Sequence, residues 1–293
     1  MDKKVTVIVP TYKKYDNLKE NLVSIYNQTY SNIELIVTDD GSDNYNPKII
    51  EDIVNECNIK IRKLELTLIH HKNNIGTVKN LNNAIKKSKG EYIFFLAQDD
   101  RFYTNNVIEK VVKEFQNYLI CTTERVVLKE ENEIEIFPKR LDLERLNKKN
   151  KYKDLLINGN FISGACTYYK KEVFEKYGFF DENIRLLEDF PYYLEIFRNN
   201  LEIKYLPIKS IVYSVEGISN QDEKKLKLID DFQKVYQREI ERNRGYFRRY
   251  LKYKKECYNY RKGLVSRKII KLKYFDIYIL EKIKVIEKVL MKE

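Results

Sequence analysis

Cysteine and histidine are scarce in this sequence, which has four cysteines and two histidines among 293 residues. The cysteines are Cys57, Cys121, Cys166 and Cys257. They lie far apart and without metal-ligand spacing, which favours reduced thiols in a cytosolic protein. The histidines, His70 and His71, are adjacent. Because neighbouring side chains on a strand face opposite ways, we do not expect a metal ion to be shared between them.

A hydrophobic run long enough to span a membrane is also lacking. Such a helix needs roughly 18 to 20 consecutive apolar residues, and no stretch of the sequence approaches that length. The first residues, MDKKVTVIVPTY, have a basic start, but their apolar run stops at Pro10 and is too short for the core of a signal peptide. We therefore expect a cytoplasmic protein, either free or peripheral at the inner face of the cell membrane.

Acidic residues become rare only in the last part of the chain. The whole sequence has 55 Lys and Arg against 44 Asp and Glu, a net charge of +11. Residues 241–293 hold 17 basic and 6 acidic residues, which leaves 38 of each sign in residues 1–240. A general lysine bias would give an excess throughout the chain. The localised charge therefore predicts a specific role for the C-terminal segment.

Apolar segments alternate with amphipathic ones in the first hundred residues. Strands are predicted over KVTVIVPTY, IELIVTDDGSD, KLELTLIHH and residues 91–97, and helices over about 16–28, 47–57 and VKNLNNAIKKSKG. This alternation predicts an α/β fold whose mainly parallel sheet is covered by helices on both faces.

The pattern of the second half is less regular. YLICTTERVVL predicts a strand over 118–128, and the charged stretch 129–153 is predicted to be a loop. GACTYYKKEVFEKYG predicts a strand and a short helix that ends at Gly178. A further helix is predicted to begin near Glu188 and Asp189, where carboxylates suit the helix dipole.

Polar residues follow the predicted strands at three places. These are Pro10-Thr11-Tyr12, Asp39-Asp40-Gly41-Ser42 and Asp99-Asp100. Asp-Gly is a common turn pair, so any one of them is compatible with a turn. In open α/β sheets, however, ligands bind beyond the carboxyl ends of the strands. All three at one edge predict a binding cleft, and the adjacent carboxylates at the end of a buried strand indicate that a cation belongs there.

Helical patterns replace this alternation after Ser219. Helices are predicted over about 222–242, 244–261 and 266–291, which gives an α/β domain over 1–218 and a basic helical extension over 219–293. The last helix carries an apolar stripe of Ile269, Leu272, Ile279, Ile283, Ile286 and Leu290. This stripe could pack on the first domain, lie on an anionic membrane surface, or form a short coiled-coil dimer. No groove-binding motif predicts a nucleic-acid partner, and the oligomeric state is not predicted.

The sequence resembles the inverting glycosyltransferases of family 2, which have a GT-A fold and use nucleotide-diphospho-sugars. The segments VTVIVPTY, IELIVTDDGSD, GEYIFFLAQDD and YGFFDENIRLLEDFPYYLEIF carry the resemblance in the order of the family, over about residues 5–197. The resemblance implies that residues 1–218 are a GT-A catalytic domain with a Rossmann-like, mainly parallel mixed sheet. It also implies a donor such as a UDP-sugar, Mn²⁺ or Mg²⁺, and a glycan or lipid-linked glycan acceptor in surface polysaccharide synthesis.

The resemblance also implies roles for residues of the donor site. Pro10, Thr11 and Tyr12 would contact the nucleotide, with Tyr12 stacked on the base. Asp40 would hydrogen-bond the base edge. Asp100 would hold the metal ion and Asp99 the ribose, and the reverse assignment stays open.

The sequence departs from the family pattern at three places. Ala97 replaces the first Asp of the common Asp-x-Asp-Asp motif, and Leu81 replaces an arginine that many members carry before Gly90. Lys79 is the candidate for the missing phosphate contact. A histidine often found in the late strand region is missing from YSVEGISN.

The expected chemistry needs one general base and one cation. Negative charge grows on the diphosphate leaving group, and a divalent ion bound by Asp100 and phosphate oxygens offsets it as a Lewis acid. By the resemblance, Asp189 removes the proton of the acceptor hydroxyl, and attack on the opposite face inverts the anomeric configuration. Glu188 either orients the acceptor or caps the helix.

Two other functional classes were compared with this one. The departures at Ala97 and Leu81 and the missing histidine keep open a catalytically silent nucleotide-sugar-binding or scaffold protein of the same fold. A dinucleotide-binding oxidoreductase is disfavoured because no Gly-x-Gly-x-x-Gly follows the first predicted strand. The segment NFISGAC is a candidate lining of the acceptor pocket, although packing explains it equally well.

Overall fold

The computed structural model describes residues 3–116, 118–129, 132–214 and 222–290. The chain divides into two compact units, Met1–Ile218 and Ser219–Glu293. The predicted domain boundary at 218/219 and most of the YSVEGISN segment lie outside the described residues. The assignment of catalysis to the first unit stays a prediction.

Nine strands of the described residues form one sheet in the first unit. They are β1 (Val5–Thr11), β2 (Ile33–Asp39), β3 (Glu65–His70), β4 (Tyr92–Phe95), β5 (Arg101–Phe102), β6 (Ile120–Lys129), β7 (Asn132–Phe137), β8 (Thr167–Lys170) and β9 (Ile203–Val212). Their order is β3-β2-β1-β4-β8-β6-β9-β5, and β7 pairs with β6.

The sheet has a parallel half and a mixed half. Strands β3, β2, β1 and β4 are mutually parallel, and Thr11 lies opposite Asp39, which lies opposite His70. Strand β8 is antiparallel to both of its neighbours, β4 and β6, whereas β9 runs parallel to β6. The start of β8 therefore lies at the same edge as the carboxyl ends of β1 to β4.

Helices flank this sheet, as predicted. The helices of the first unit are α1 (Leu18–Tyr26), α2 (Pro47–Lys60), α3 (Thr77–Lys87), α4 (Val107–Phe115), α5 (Arg140–Leu146), α6 (Lys151–Asn158), α7 (Glu172–Tyr177) and α8 (Asp189–Arg198). Strand β2 is buried along its whole length. Helices α1, α2 and α4 contribute apolar side chains to the core that contains Ile33, Leu35 and Val37, and α3 also contacts the strand. The predicted α/β alternation of the first hundred residues is confirmed.

The loop predicted over 129–153 is wrong. This stretch contains β7 and α5 and the start of α6. Its charged residues are partnered within the fold: the buried Asp154 accepts hydrogen bonds from Arg145 Nε at 2.6 Å and from Lys148 Nζ. Lys209 Nζ likewise lies 2.6 Å from Glu133 Oε2 on β7. The sequence pattern failed because these ion pairs, from six to 76 residues apart, form only when the helices and strands pack together.

The second unit is helical in its described part. Its helices are α9 (Asp222–Arg242), α10 (Gly245–Arg261), α11 (Arg267–Lys273) and α12 (Phe275–Leu290). The single helix predicted over 266–291 is wrong, because the chain leaves the helical conformation at Tyr274. Tyr274 is buried and its ring meets that of Tyr253 on α10 edge-on, with 5.8 Å between the centroids. This packing accounts for the break.

The predicted apolar stripe is exposed in α11 and α12. Ile269 is 55% and Leu272 is 85% exposed, and Ile279 and Ile283 are 40% and 45% exposed. The side chains of Ile286 and Leu290 lie outside the described residues. Within the described ranges, no helix is long and apolar enough to cross a bilayer.

Candidate active site

Asp39 stabilises the end of β2 through several internal hydrogen bonds. Its Oδ1 accepts from the Ser42 backbone N–H at 2.8 Å and lies 3.0 Å from His70 Nδ1. Its Oδ2 accepts from the Ser42 hydroxyl at 2.6 Å and from Thr11 Oγ1 at 3.2 Å. The carboxylate is fully buried. Asp39 therefore joins the ends of three parallel strands.

Asp40 connects the turn after β2 with the loop after β3. Its carboxylate accepts from the backbone N–H of Ile75 at 2.8 Å and of Gly76 at 3.1 Å, and from Asn74 Nδ2 at 2.9 Å. Burial raises the pKa of this carboxyl, although the two backbone N–H groups act in the opposite direction. Ile75 and Gly76 lie 35 and 36 residues after Asp40 in the sequence, and sequence reasoning missed these contacts.

The turn at Gly41 packs directly against this loop. Gly41 has a φ of +72°, and a Cβ atom placed there would lie 2.2 Å from the carbonyl carbon of Asn73. Only glycine allows both this conformation and this close approach. The Asp-Gly pair is therefore a turn and also part of the same edge.

The Asp99-Asp100 turn follows β4 at the same edge. The Asp100 N–H donates to Ala97 O at 2.9 Å, and the buried Asn21 of α1 donates from Nδ2 to Ala97 O at 2.7 Å and to Asp100 O at 2.8 Å. The turn also reaches the end of β1, because the Tyr12 N–H donates to Gln98 Oε1 at 3.2 Å. The predicted residues of β1 and β4 are thereby brought together.

Asp100 is a buried carboxylate beside a cavity. Its Oδ1 accepts from the Ser214 backbone N–H at 2.9 Å. Burial raises the pKa of Asp100 to about 8, and the neighbouring charge of Asp99 adds to the increase. A cavity of about 350 Å³ is lined by both carboxylates and, among others, by Glu20, Tyr213 and Ser214.

The chemistry of this cavity fits a hard divalent cation with few protein ligands. Within the described ranges, no three His, Cys, Asp or Glu side chains form a complete metal site. Asp99 and Asp100 supply carboxylate oxygens, which Mg²⁺ and Mn²⁺ prefer, and phosphate oxygens of a nucleotide would complete the coordination. A cation would also offset the buried charge of Asp100.

Arg125 is a cation of this region that sequence reasoning missed. Its guanidinium lies 4.1 Å from the ring centroid of Tyr213 and 5.2 Å from that of Phe137. Its positive charge lowers the pKa of Asp100, which burial raises. Its Nε is buried and has no hydrogen-bond partner within the described part of the chain. The sequence signal is one arginine inside the apolar strand β6.

Asp189 begins α8 and contacts the segment that precedes β8. Its Oδ2 accepts from Asn160 Nδ2 at 2.8 Å, and its Oδ1 accepts from the Phe190 N–H. A Cβ atom on Gly164 would lie 3.4 Å from Asp189 Oδ2 and 3.2 Å from Glu188 Oε1. Asn160 and Gly164 both belong to NFISGAC, the segment considered as an acceptor lining.

The surroundings of Asp189 favour its protonated form more than water does. Dense packing raises the pKa of this carboxyl to about 6, against the hydrogen bonds from Phe190, Asn160 and Gly164. Glu188 occupies the N-cap position with helical backbone angles, and its side chain makes no capping hydrogen bond. The capping interpretation of Glu188 is therefore not supported.

Strand β8 relates Asp189 to the Asp100 cavity. Burial raises the pKa of Tyr168, and the charge of Asp100 adds to this increase. Burial likewise raises the pKa of the next residue, Tyr169, and the charge of Asp189 adds to that increase. The two carboxylates thus act on adjacent residues of one strand.

Two basic residues lie near the parallel half of the edge. Lys79 is exposed on α3, and it helps to lower the pKa of Glu182 after the larger contribution of a hydrogen bond from Asn82. Lys79 does not line the Asp100 cavity. Arg185, which sequence reasoning missed, donates from Nη2 to Asn74 O at 3.0 Å, so it lies beside the loop that contacts Asp40.

The arrangement is that of a GT-A glycosyltransferase fold, as comparison with solved structures shows. A mannosyltransferase from Pyrobaculum calidifontis, PcManGT, in complex with GDP-Man and Mn²⁺ has a TM-score of 0.61 at 19% identity, over 84% of this chain and 66% of that one. S. aureus TarS 1–349 in complex with UDP has a TM-score of 0.57 at 19% identity, over 80% and 72%. The predicted fold class is confirmed.

The chain belongs to the glycosyl transferase family 2, whose model matches residues 6–178. The uncharacterized glycosyltransferase EpsJ of Bacillus subtilis is 28% identical over 215 residues, which cover 71% of this chain and 60% of EpsJ. The match therefore spans less than two thirds of that relative's length. The resemblance on which the site residues were chosen is confirmed at the level of the family.

Proposed function

We propose that this protein is a metal-dependent inverting glycosyltransferase. Its donor would be a nucleoside-diphosphate sugar, namely a UDP-sugar. It would transfer the sugar to a glycan or lipid-linked glycan in surface polysaccharide synthesis. The observation that carries the proposal is the pair Asp99 and Asp100 beside a cavity at the edge where β1, β2 and β4 end. TarS in complex with UDP or UDP-GlcNAc, and PcManGT in complex with GDP-Man and Mn²⁺, share the fold and support a nucleotide-sugar donor.

The donor nucleotide is proposed to lie along the ends of β1 and β2. Tyr12 stacks on the base and Pro10 and Thr11 form the adjacent wall. Asp40 contacts the base edge with the carboxylate capacity that its loop hydrogen bonds leave free. Asp99 contacts the ribose.

The diphosphate is proposed to reach the carboxylate of Asp100. Asp100 holds Mn²⁺ or Mg²⁺, which supplies Lewis acid stabilisation of the departing diphosphate when bound. Lys79 is the proposed phosphate contact, and its exposed side chain has the reach of a long, flexible amine.

Asp189 is proposed as the general base. Its ionised carboxylate accepts the proton of the attacking acceptor hydroxyl, a role typically worth roughly 10²- to 10⁴-fold in rate. Asn160 orients the carboxylate by its hydrogen bond of 2.8 Å. The carboxylates of Glu188 and Asp189 both lie next to Gly164, and Glu188 contacts the acceptor.

A thermal-shift screen tests the donor assignment. UDP-sugars and GDP-mannose are added with Mn²⁺ or with EDTA, and one of them is expected to raise the melting temperature only when Mn²⁺ is present, because binding to the folded state stabilises it by mass action. The Asp100→Asn variant serves as the control and should lose the metal-dependent increase. Equal stabilisation of that variant would contradict the role of Asp100.

The helical unit is proposed to dock on an anionic membrane surface. The exposed Leu272, Phe275 and Ile283 provide apolar contacts, and residues 241–293 carry 17 basic against 6 acidic residues. Apolar side chains beside lysines match the interface of a bilayer that contains acidic lipids. Such docking would bring the enzyme to acceptors built on lipid carriers.

A further inference from the structure

The helical unit contains a basic cavity that the transfer reaction does not use. Its volume is about 430 Å³, and helices α9, α10 and α11 line it. Its charged and amide-bearing walls include Arg248, Lys252, Lys255, Lys273, Glu256 and Asn259. Four cationic side chains therefore share this cavity with one carboxylate.

The sequence of α10 places most of these groups on one helix face. Arg248, Lys252, Lys255 and Asn259 are spaced by four, three and four residues, which is the spacing of neighbours along a helix surface. Like charges at this spacing destabilise a helix in isolation. A bound anion would offset this repulsion.

Among the described residues, three of the four cations of the cavity have no carboxylate partner, and the fourth, Lys273, pairs with Glu256. Lys255 Nζ donates to the uncharged Gln237 Oε1 at 2.7 Å, and Lys273 Nζ lies 3.4 Å from Glu256 Oε1. In the described ranges, neither Arg248 nor Lys252 has a carboxylate within ion-pair distance.

Basic residues of the same unit that lie outside the cavity do pair with carboxylates. Arg249, which follows Arg248, lies 3.0 Å from Asp276, and Arg242 lies 3.4 Å from Glu239. Of the carboxylates named here, only Glu256 lies in the cavity, so the four cations leave the cavity with a net positive charge. Concentrated positive charge in a concave site attracts anions.

We propose that this cavity binds a phosphate-bearing ligand of the diphosphate or phosphodiester class. A guanidinium presents paired N–H donors that match phosphate oxygens, and ammonium groups add point charges around it. The amide of Asn259 supplies a neutral donor, although it already contacts Glu256 Oε2 at 2.9 Å. The volume exceeds that of a single phosphate and leaves room for a diphosphate with an attached group. A lipid headgroup and a soluble phosphate compound share this chemistry.

Isothermal titration of the full chain with inorganic pyrophosphate tests the site. EDTA is present throughout, so that metal-dependent binding at the Asp100 cavity does not contribute. The wild type is expected to bind, and the double variant Arg248→Ala/Lys252→Ala is expected to bind at least tenfold more weakly. The matched control Arg267→Ala/Lys268→Ala removes the same charge from exposed positions outside the cavity and should bind as the wild type does.

Three outcomes would overturn the proposal. They are no pyrophosphate binding by the wild type, equal weakening by both double variants, and equal binding of citrate, which would indicate a general attraction for anions. If the double alanine variant does not fold, Arg248→Gln alone carries the comparison. Transfer to a phosphate-free acceptor should be unchanged in these variants, so a failure here is distinguishable from a failure of the proposed function.

Vesicles identify the source of the phosphate. If phosphatidylglycerol vesicles compete with pyrophosphate for the wild type, the site accepts a lipid headgroup. If they do not compete while pyrophosphate still binds, the ligand is a soluble or polymer-borne phosphate. Both results support the phosphate site and differ only in the ligand that fills it.

Discussion

Asp189 illustrates how the environment of one residue determines the pH range in which it can act. Its packed surroundings raise the pKa of the carboxyl to about 6. A general base must be ionised, so the proposed mechanism requires a transfer rate that rises with pH, reaches half of its maximum near pH 6 and becomes level about one unit higher. A pH profile of kcat/KM measures this, because that ratio reports the ionisation of groups in the free enzyme.

The variant Asp189→Asn should separate catalysis from donor binding. We expect the transfer rate to fall by roughly 10²- to 10⁴-fold, with the donor-dependent thermal shift retained, because the amide can keep the contact with Asn160. Asp181→Asn removes a carboxylate from the preceding loop and is the matched control. Wild-type transfer by Asp189→Asn would exclude this residue as the base.

Asp100 should make the stability of the metal-free protein depend on pH. Its folded pKa of about 8 lies above the ordinary value of 3.8, so the folded state keeps a proton that the unfolded state has lost. Stability therefore falls as pH rises from about 4 to about 8. The Asp100→Asn variant has no titrating carboxyl at this position, so its stability does not fall in this way. Its melting temperature minus that of the wild type should therefore increase by several degrees between pH 5 and pH 8.

Differential scanning fluorimetry in EDTA measures this difference. Mn²⁺ in excess of EDTA at pH 8 should reduce the difference in melting temperature, because the ion offsets the charge of Asp100 in the wild type only. A constant difference between the two proteins at pH 5 and pH 8 would contradict the buried, uncompensated charge.

The sequence predicted the acidic residues of the site but not their environments. Asp40 and Asp100 could be chosen because they follow apolar strands and match a family pattern. The partners of Asp40 come from the loop after β3, and those of Asp100 include Ser214 after β9. Such contacts depend on how distant segments meet, so periodicity carries no information about them, and Arg125 and Arg185 were missed for the same reason.

At the level of elements, the turn at Gly41 after β2 packs directly against the loop between β3 and α3. Gly41→Ala should destabilise the protein by about 1–3 kcal/mol, because the added Cβ meets the Asn73 backbone at 2.2 Å. Gly159→Ala is the matched control, since Gly159 also has a positive φ but has nothing within 4 Å of the added atom.

Urea denaturation of both variants separates the two contributions. Gly41→Ala is expected to lose more stability than Gly159→Ala and to weaken donor binding, because Asp40 shares the distorted turn. Equal losses would mean that positive φ alone accounts for the cost and that the two loops do not press on each other.

Prediction of elements succeeded where one local pattern dominated. The strands of the first hundred residues are short apolar runs, and Val78, Leu81 and Ile85 form the buried face of α3 as predicted. It failed in α11 and α12, where the sequence continues as a helix but packing of Tyr274 interrupts it. A tertiary contact outweighed local propensity there.

For the whole molecule, the separation of charge between the two units has a measurable consequence. The full chain is expected to sediment with phosphatidylglycerol vesicles and less with neutral phosphatidylcholine vesicles, and 0.5 M salt should weaken the binding by screening. Leu272→Glu should reduce binding severalfold, because Leu272 is 85% exposed on α11. Leu226→Glu on α9, where the leucine is 54% exposed, is the control.

The vesicle experiment can contradict the proposed docking in two ways. One is the absence of binding to acidic vesicles at low salt. The other is an equal effect of Leu272→Glu and Leu226→Glu, which would show that the apolar face of α11 and α12 has no special part in the interaction.

The reversed direction of β8 gives the first unit a modular layout. The parallel strands β1 to β4 carry the groups assigned to the donor, whereas the segment that enters β8 carries Asn160 and Gly164 beside Asp189. Exchange of residues 138–163 between relatives would leave unchanged the strands β1 and β2, after which Tyr12 and Asp40 follow. Under the proposed function, such chimeras would change the recipient of the sugar and keep its source.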